Sequence, residues 1–179
     1  GIAVRRWLKQ SNPGLSALLT ERLGHAWEND LEELERLRWA AEDAEFRSHF
    51  AAIKADNKRL LAETMQRRVG VDVDPASLFD VQVKRIHEYK RQLLNLLHVV
   101  ARYQAMLDQP DGPDGQGWVP RTVILAGKAA SAYRAAKQII QLAHDVGRVV
   151  NSDARLKGRL KLVFLPNYGV SLAETIIPA

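Results

Sequence analysis

The stretch LFDVQVKRIHEYKRQLLN, residues 78–95, contains a short strand pattern, a cluster of cations and the beginning of a helix pattern. Its first six residues are β-rich and partly alternate between apolar and polar, which predicts a strand. Apolar residues then recur at helical spacing, which predicts a helix from Glu88 to about Leu107. The apolar side of this helix is predicted to contain Leu93, Leu94, Leu97, Val100 and Met106. A strand followed directly by a helix is typical of α/β proteins.

The same order of strand and helix recurs towards the end of the chain. RTVILA (121–126) and RLKLVFL (159–165) are apolar strand patterns, and residues 132–149 between them have helical spacing. Ser171 followed by Glu174 forms a capping box, which predicts a last helix. Strands that alternate with helices predict a parallel sheet with right-handed crossovers, here a Rossmann-like, doubly wound α/β fold.

A helical segment, residues 1–70, is predicted to precede this α/β region, residues 71–179. Asn12 before a proline predicts the cap of one helix, and a long helix is predicted from Asp43 to about Arg68. Three strands are only half of a doubly wound sheet. The sequence is therefore interpreted as a truncated unit, a fragment of a larger protein.

Composition excludes several functional classes. The 179 residues include no cysteine, which excludes a disulfide scaffold, a thiolate metal site and a cysteine nucleophile. A zinc motif is rejected because Arg91 stands where a second histidine would be needed. The chain has no signal peptide pattern and no apolar run of about 18 residues, so a cytoplasmic protein without a membrane span is expected. The net charge of +5 is modest and aromatic residues are not interleaved with basic ones, which disfavours nucleic-acid binding.

The chemistry of such a fold is expected where the strands end, because open parallel sheets bind ligands beyond the carboxyl ends of their strands. Three segments meet this condition: KRIHEYK (84–90), GKAA (127–130) and NYG (167–169). The cations in and just after the first segment are Lys84, Arg85, Lys90 and Arg91. Cations gathered at a helix N-terminus, where the backbone is already positive, indicate a bound anion such as phosphate. A solvated charged corner is the alternative.

The other two segments give weaker indications. Gly127 permits a close backbone approach to a ligand, but Ala129 stands where a Walker A loop needs Ser or Thr. Lys128 equally fits a surface lysine. Tyr168 could contact a phosphate or a flat cofactor, or be half-buried packing, and its position alone leaves both open.

Beyond these local patterns, VQVKRIHEYKRQ (81–92) resembles the signature of the α-glucan phosphorylases, the family of glycogen, starch and maltodextrin phosphorylases. The resemblance continues in residues 1–15, 127–153 and 162–179, so it covers essentially the whole chain. It implies that inorganic phosphate cleaves terminal glucose from an α-1,4-glucan and releases glucose 1-phosphate with retained configuration. It also implies two Rossmann-like domains of the glycosyltransferase GT-B type, this chain being the first half of the C-terminal one, and a homodimer of the whole protein.

The resemblance further implies pyridoxal 5'-phosphate as cofactor, with the cofactor's phosphate acting as a proton relay. Arg85 and Lys90 match the catalytic side chains that hold the substrate phosphate, and Tyr89 matches a tyrosine that hydrogen-bonds the reacting glucose. The implied cofactor-binding residues are Lys84, Tyr168, Trp7 and Val83. Two adjacent phosphates repel each other, so several permanent cations are needed to hold both.

Some features depart from the family's pattern. Gly169 stands where some relatives have Arg, and Ser131-Ala132 replaces a Pro-Gly pair. The family's Schiff-base lysine segment and its glucan-binding N-terminal domain do not occur within residues 1–179, so this segment alone is expected to be inactive. A non-catalytic Rossmann-like module that binds phosphate or nucleotide is the alternative interpretation.

Overall fold

The computed structural model describes residues 5–179, and the chain divides into two compact units. One unit contains the residues up to Leu61 together with Val170–Ala179, and the other contains Ala62–Gly169. The ranges 1–70 and 71–179 remain a prediction about domains. The two compact units divide the chain at other positions.

The first unit is helical. Its α-helices are α1 (Pro13–Leu23), the first part of α2 (Ala44–Val69), and the last helix of the chain (Val170–Ile176). A long 3-10 segment (Leu31–Ala41) lies between α1 and α2. The Asn12 side chain accepts a hydrogen bond from the Leu15 N–H at 3.3 Å, so the predicted cap of α1 is confirmed. Trp27 is fully buried beside Leu19 and Leu23 and donates its indole N–H to Thr20.

The second unit contains a three-stranded parallel sheet in the order β1-β2-β3. Its elements are β1 (Leu78–Val83), α3 (Gln92–Asp108), β2 (Arg121–Ala126), α4 (Arg134–Ser152) and β3 (Leu160–Leu165). The predicted alternation of strands and helices and the parallel sheet are therefore confirmed. The last helix, α5 (Val170–Ile176), begins one residue before Ser171, so the predicted helix exists but Ser171 lies inside it.

Both faces of β2 and β3 are buried. Val123 and Leu125 pack in one core with residues of α3 and α4, whereas Ile124 and Val163 point to the opposite face and are equally buried. The outer edge of β3 is covered by Asn151, whose side-chain amide bonds both the N–H and the C=O of Leu162 at 2.9 Å.

The start of α3 differs from the sequence prediction. Residues Glu88–Lys90 form a separate 3-10 turn, Arg91 adopts a left-handed conformation with φ 62°, and α3 begins at Gln92. The left-handed residue interrupts the helical run that the apolar spacing suggested. Lys90 therefore does not lie in the first turn of α3, and the helix-terminus argument for a bound anion does not apply to it.

The predicted apolar side of α3 was wrong in four of its five residues. The helix buries Gln92, Leu96, Val99 and Met106. Leu93, Leu94, Leu97 and Val100 are exposed, Leu94 by 58%. Apolar residues occur on most sides of α3, so spacing alone could not choose the buried one. Among the described residues, no helix is both long and apolar enough to cross a membrane.

Candidate functional site

The three strands end level with one another at one edge of the sheet, because Val83, Ala126 and Leu165 are aligned. The β1–β2 pairing continues beyond the strands, where the Lys84 N–H donates to the Ala126 C=O at 3.1 Å and the Ile86 N–H to the Lys128 C=O at 3.2 Å. The segments 84–90, 127–130 and 167–169 thus follow the ends of neighbouring strands. Together these three segments form the rim of the sheet.

Gly127 allows a close approach, but the approaching group is the protein's own backbone. A Cβ atom at this position would lie 2.0 Å from the carbonyl oxygen of Lys84 and 3.0 Å from the Ile86 side chain. The ends of β1 and β2 can therefore run this close only where the second loop has no side chain. Packing explains this glycine without any ligand.

The cations of the first rim segment have no acidic partner. Within residues 5–179, no ion pair joins Lys84, Arg85 or Lys90 to a carboxylate. Lys84 and Arg85 are exposed, and the Lys90 ammonium lies 5.5 Å from the centre of the Tyr89 ring. Like charges so close along the chain repel each other, and a bound anion would relieve that repulsion.

An aromatic cluster lies beside these cations. The His87 ring is centred 4.1 Å from the Tyr89 ring and 4.8 Å from the Tyr133 ring. The Tyr133 hydroxyl donates to the Glu88 carboxylate at 2.5 Å and accepts from the Glu88 N–H at 3.3 Å. The bond to the Glu88 carboxylate raises the pKa of Tyr133 above its ordinary value. Tyr89 is 68% exposed and is free to meet a ligand.

Sequence reasoning missed Tyr133 and two glutamines that contact the backbone of the first rim segment. Gln92 is fully buried and bonds the backbone of Arg85 and His87. Gln82 bonds the carbonyl of Lys90. Neither glutamine broke the predicted pattern, and Tyr133 lies outside the three segments that follow the strands, so no local signal pointed to them.

The residues expected to contact a cofactor lie in both units. Val83 and Lys84 are adjacent at the end of β1, and Tyr168, half-buried, follows β3 at the rim. Trp7 lies in the first unit, where it lines a cavity of about 240 Å³ with Phe50 and other residues. In the described part of the chain, no three His, Asp or Glu side chains are grouped closely enough to hold a metal ion.

The second unit is thus a parallel α/β unit with a cationic site at the carboxyl edge of its sheet. A family model described as "Carbohydrate phosphorylase" matches residues 1–179, and the chain belongs to that family. The resemblance seen in residues 81–92 is confirmed.

Named relatives agree with this assignment. Over 179 residues the chain is 56% identical to a glycogen phosphorylase of Pasteurella multocida and 47% identical to the muscle form of glycogen phosphorylase of Homo sapiens. It is 48% identical to "Alpha-glucan phosphorylase 2, cytosolic" of Arabidopsis thaliana. These matches cover 99–100% of this chain but 21% of each relative. The chain therefore spans about a fifth of the length of the relatives it matches.

Proposed function

We propose that the chain is the phosphate-binding part of an α-1,4-glucan phosphorylase. The whole protein would transfer the terminal glucose of glycogen or a maltodextrin to inorganic phosphate, giving glucose 1-phosphate. The observation that carries this proposal is a group of cations on segment 84–90 that have no carboxylate partner among the described residues, at the edge where parallel sheets bind their ligands. The names of the relatives, glycogen phosphorylases, support the same substrate class.

In this proposal Arg85 and Lys90 hold the substrate phosphate. Arginine offers a flat fork that can bond two phosphate oxygens, and lysine adds a compact positive charge. A phosphate oxygen forms a bond to the anomeric carbon as the glycosidic bond breaks, and the proton lost by the phosphate ends on the departing sugar oxygen. The two cations stabilise the charge on the phosphate throughout. Tyr89, with its exposed ring, would hydrogen-bond a hydroxyl of the reacting glucose.

The residues present fit pyridoxal 5'-phosphate as the cofactor of the whole protein. Lys84 is an exposed cation without a carboxylate partner among the described residues, which suits a phosphate group. Val83 and Tyr168 are half-buried at strand ends, which suits the side of a flat ring. Trp7 stays a prediction from the resemblance. When bound, this cofactor supplies a second phosphate group that exchanges a proton with the substrate phosphate. Gly169 cannot add a cation there, because it has no side chain.

The wider setting is proposed on the same basis. The second unit would be part of a doubly wound, Rossmann-like domain of the GT-B type, joined to the remainder of a phosphorylase chain that forms a homodimer. The exposed leucines of α3 support this, because a large apolar surface is normally covered in a complete protein. A cytoplasmic location is supported by the relative named as cytosolic.

Replacing Arg85 tests the proposal. In a complete phosphorylase chain that contains this segment, Arg85→Ala should remove about 2–4 kcal/mol of transition-state stabilisation, a loss of about 30- to 1000-fold in kcat/KM for phosphate. Lys90→Ala should mainly raise the KM for phosphate. Arg148→Ala, an exposed arginine on α4, is the control and should leave both constants unchanged. A change within about twofold in Arg85→Ala would remove Arg85 from the mechanism.

A binding module without catalysis would use the same cations. Measuring glucose 1-phosphate release by the complete protein, with phosphate and a maltodextrin, separates the two functions. Release that requires phosphate supports the phosphorylase, and phosphate binding without any release supports the module. Residues 1–179 alone are expected to release none, because they correspond to 21% of the relatives' length.

A further inference from the structure

The backbone of the rim segment is fixed by a buried side-chain amide. Gln92, the first residue of α3, has no exposed surface. Its amide N–H donates to the carbonyl of Arg85 at 3.1 Å, and its amide oxygen accepts from the N–H of His87 at 3.3 Å. The carbonyl can only accept and the N–H can only donate, so the orientation of the amide is set by its partners. Gln92 thus clamps the chain on both sides of Ile86.

A second amide fixes the other end of the segment. Gln82, within β1, donates its amide N–H to the carbonyl of Lys90 at 2.8 Å. The oxygen of the same amide accepts from the side chain of Asn95 at 3.0 Å, and Asn95 lies one turn into α3. The carbonyls of Arg85 and Lys90 are therefore both held by glutamine side chains. These are the two residues proposed to hold the substrate phosphate.

The segment needs such support because regular secondary structure is interrupted there. It leaves β1 after Val83, passes through a short turn, and enters α3 only after the left-handed Arg91. A buried amide costs free energy unless its polar atoms are bonded, so a polar Gln92 in a helix core has a specific role. Misplacing a reacting group by about 1 Å can reduce a rate about 100-fold, so a fixed backbone matters at a phosphate site.

We propose that Gln92, and Gln82 with Asn95, are positioning residues that hold the backbone from which Arg85 and Lys90 reach the phosphate. This inference rests on the proposed function of the rim. The amides do not touch the substrate, and they act through the two cations. Their replacement should therefore weaken the use of phosphate more than the use of glucan.

The test uses Gln92→Met and Gln82→Met in the complete phosphorylase, because methionine keeps the length of the side chain and removes the amide. Gln104→Met, an exposed glutamine of α3, is the matched control. Each amide variant should raise the KM for phosphate about fivefold to tenfold, the change expected for one or two lost hydrogen bonds, with the KM for glucan within about twofold. Gln104→Met should change neither. If Gln92→Met does not yield folded protein, Gln82→Met and Asn95→Ala decide the question.

A second measurement reads the clamp directly. Hydrogen exchange of the peptide that spans residues 85–91 should become faster in Gln92→Met, since the His87 N–H loses its acceptor. Unchanged exchange would overturn the clamp. Faster exchange with an unchanged KM for phosphate would overturn the positioning role, provided that Arg85→Ala does lower kcat/KM for phosphate. If Arg85→Ala leaves phosphate use unchanged, the proposed function itself fails, and the positioning role fails with it.

Discussion

The cations compared at the two ends of the parallel strands differ in whether they have a carboxylate partner. At the edge where the strands begin, Arg155 donates to the Asp153 carboxylate at 2.6 Å, and the Tyr103 hydroxyl donates to the same carboxylate at 2.7 Å. At the rim, where the strands end, Lys84 and Arg85 have no carboxylate partner within residues 5–179. The Arg155–Asp153 pair is therefore neutralised, whereas Lys84 and Arg85 at the rim are not.

The difference separates a charge pair that joins two helices from cations that the proposed function assigns to a ligand. Asp153 follows α4 and Tyr103 belongs to α3, so their hydrogen bond joins two helices that pack on the same face. The rim cations pair with no carboxylate within the described chain, and their mutual repulsion disfavours the folded state. Such repelling charges are retained in a protein where they have a role other than stabilising the fold.

At the rim the backbones of two loops approach closely at Gly127. Gly127→Ala should therefore have the largest effect on stability. The new methyl group would lie 2.0 Å from the Lys84 carbonyl oxygen, so the ends of β1 and β2 must separate, at a cost of about 3 kcal/mol. Gly158→Ala, before β3, has open space but a φ of +74°, and should cost about 1 kcal/mol. Denaturant or thermal unfolding of the complete protein measures both.

Gly169→Ala is the control at the rim itself. A methyl group there would come no closer than 3.9 Å to the Asn167 carbonyl oxygen, so stability should hardly change. If Gly127→Ala proved as stable as Gly169→Ala, the close approach of the two loops would be refuted.

The Arg155–Asp153 pair should make the stability of the folded protein depend on pH, because Asp153 titrates. Hydrogen bonds from Arg155 and Tyr103 hold the pKa of Asp153 well below its ordinary value of 3.8. A depressed pKa in the folded state stabilises the protein above about pH 4, and this contribution is lost as the pH falls further. Asp153→Asn should lower Tm near neutral pH, and its difference from the unmodified protein should shrink towards about pH 3.

The loop residue Asp111 provides the matching control, because it is exposed at the same end of the unit. Asp111→Asn should leave Tm close to that of the unmodified protein near neutral pH. A Tm difference for Asp153→Asn that stays constant down to about pH 3 would contradict the ion pair's role.

The smallest effects should come from two matched tyrosines. Tyr133→Phe at the rim and Tyr103→Phe at the opposite edge each remove one hydroxyl-to-carboxylate hydrogen bond. Tyr133→Phe should speed hydrogen exchange of residues 85–91 several-fold and slightly raise the KM for phosphate. Tyr103→Phe should slightly lower Tm and leave that KM unchanged. Identical changes of the two variants in hydrogen exchange, Tm and the KM for phosphate would contradict the difference between the two edges.

The strands and the cations could be predicted from the sequence because each depends on a short pattern. RTVILA and RLKLVFL each end in four consecutive apolar residues, as expected for strands buried on both faces. The rule that parallel strands end at one edge then placed the cations of segment 84–90 at the rim. The family followed from the twelve-residue stretch 81–92.

The orientation of α3 could not be predicted, because its buried side depends on contacts distant in the sequence. Leu93 and Leu94 are as apolar as Leu96, yet only Leu96 is buried. Leu96 packs in the core with residues of β2 and α4, which follow α3 in the chain. Tyr133 was missed for the same reason, since its partner Glu88 lies 45 residues away along the chain.

The amide of Asn151 has a consequence for how the sheet can grow. By bonding both polar groups of Leu162 it occupies the place where a further strand would attach beside β3. A strand of a neighbouring molecule that approached the outer side of β3 would find no free donor or acceptor at Leu162. A strand that attaches beside β3 would therefore have to displace the Asn151 amide from Leu162 first.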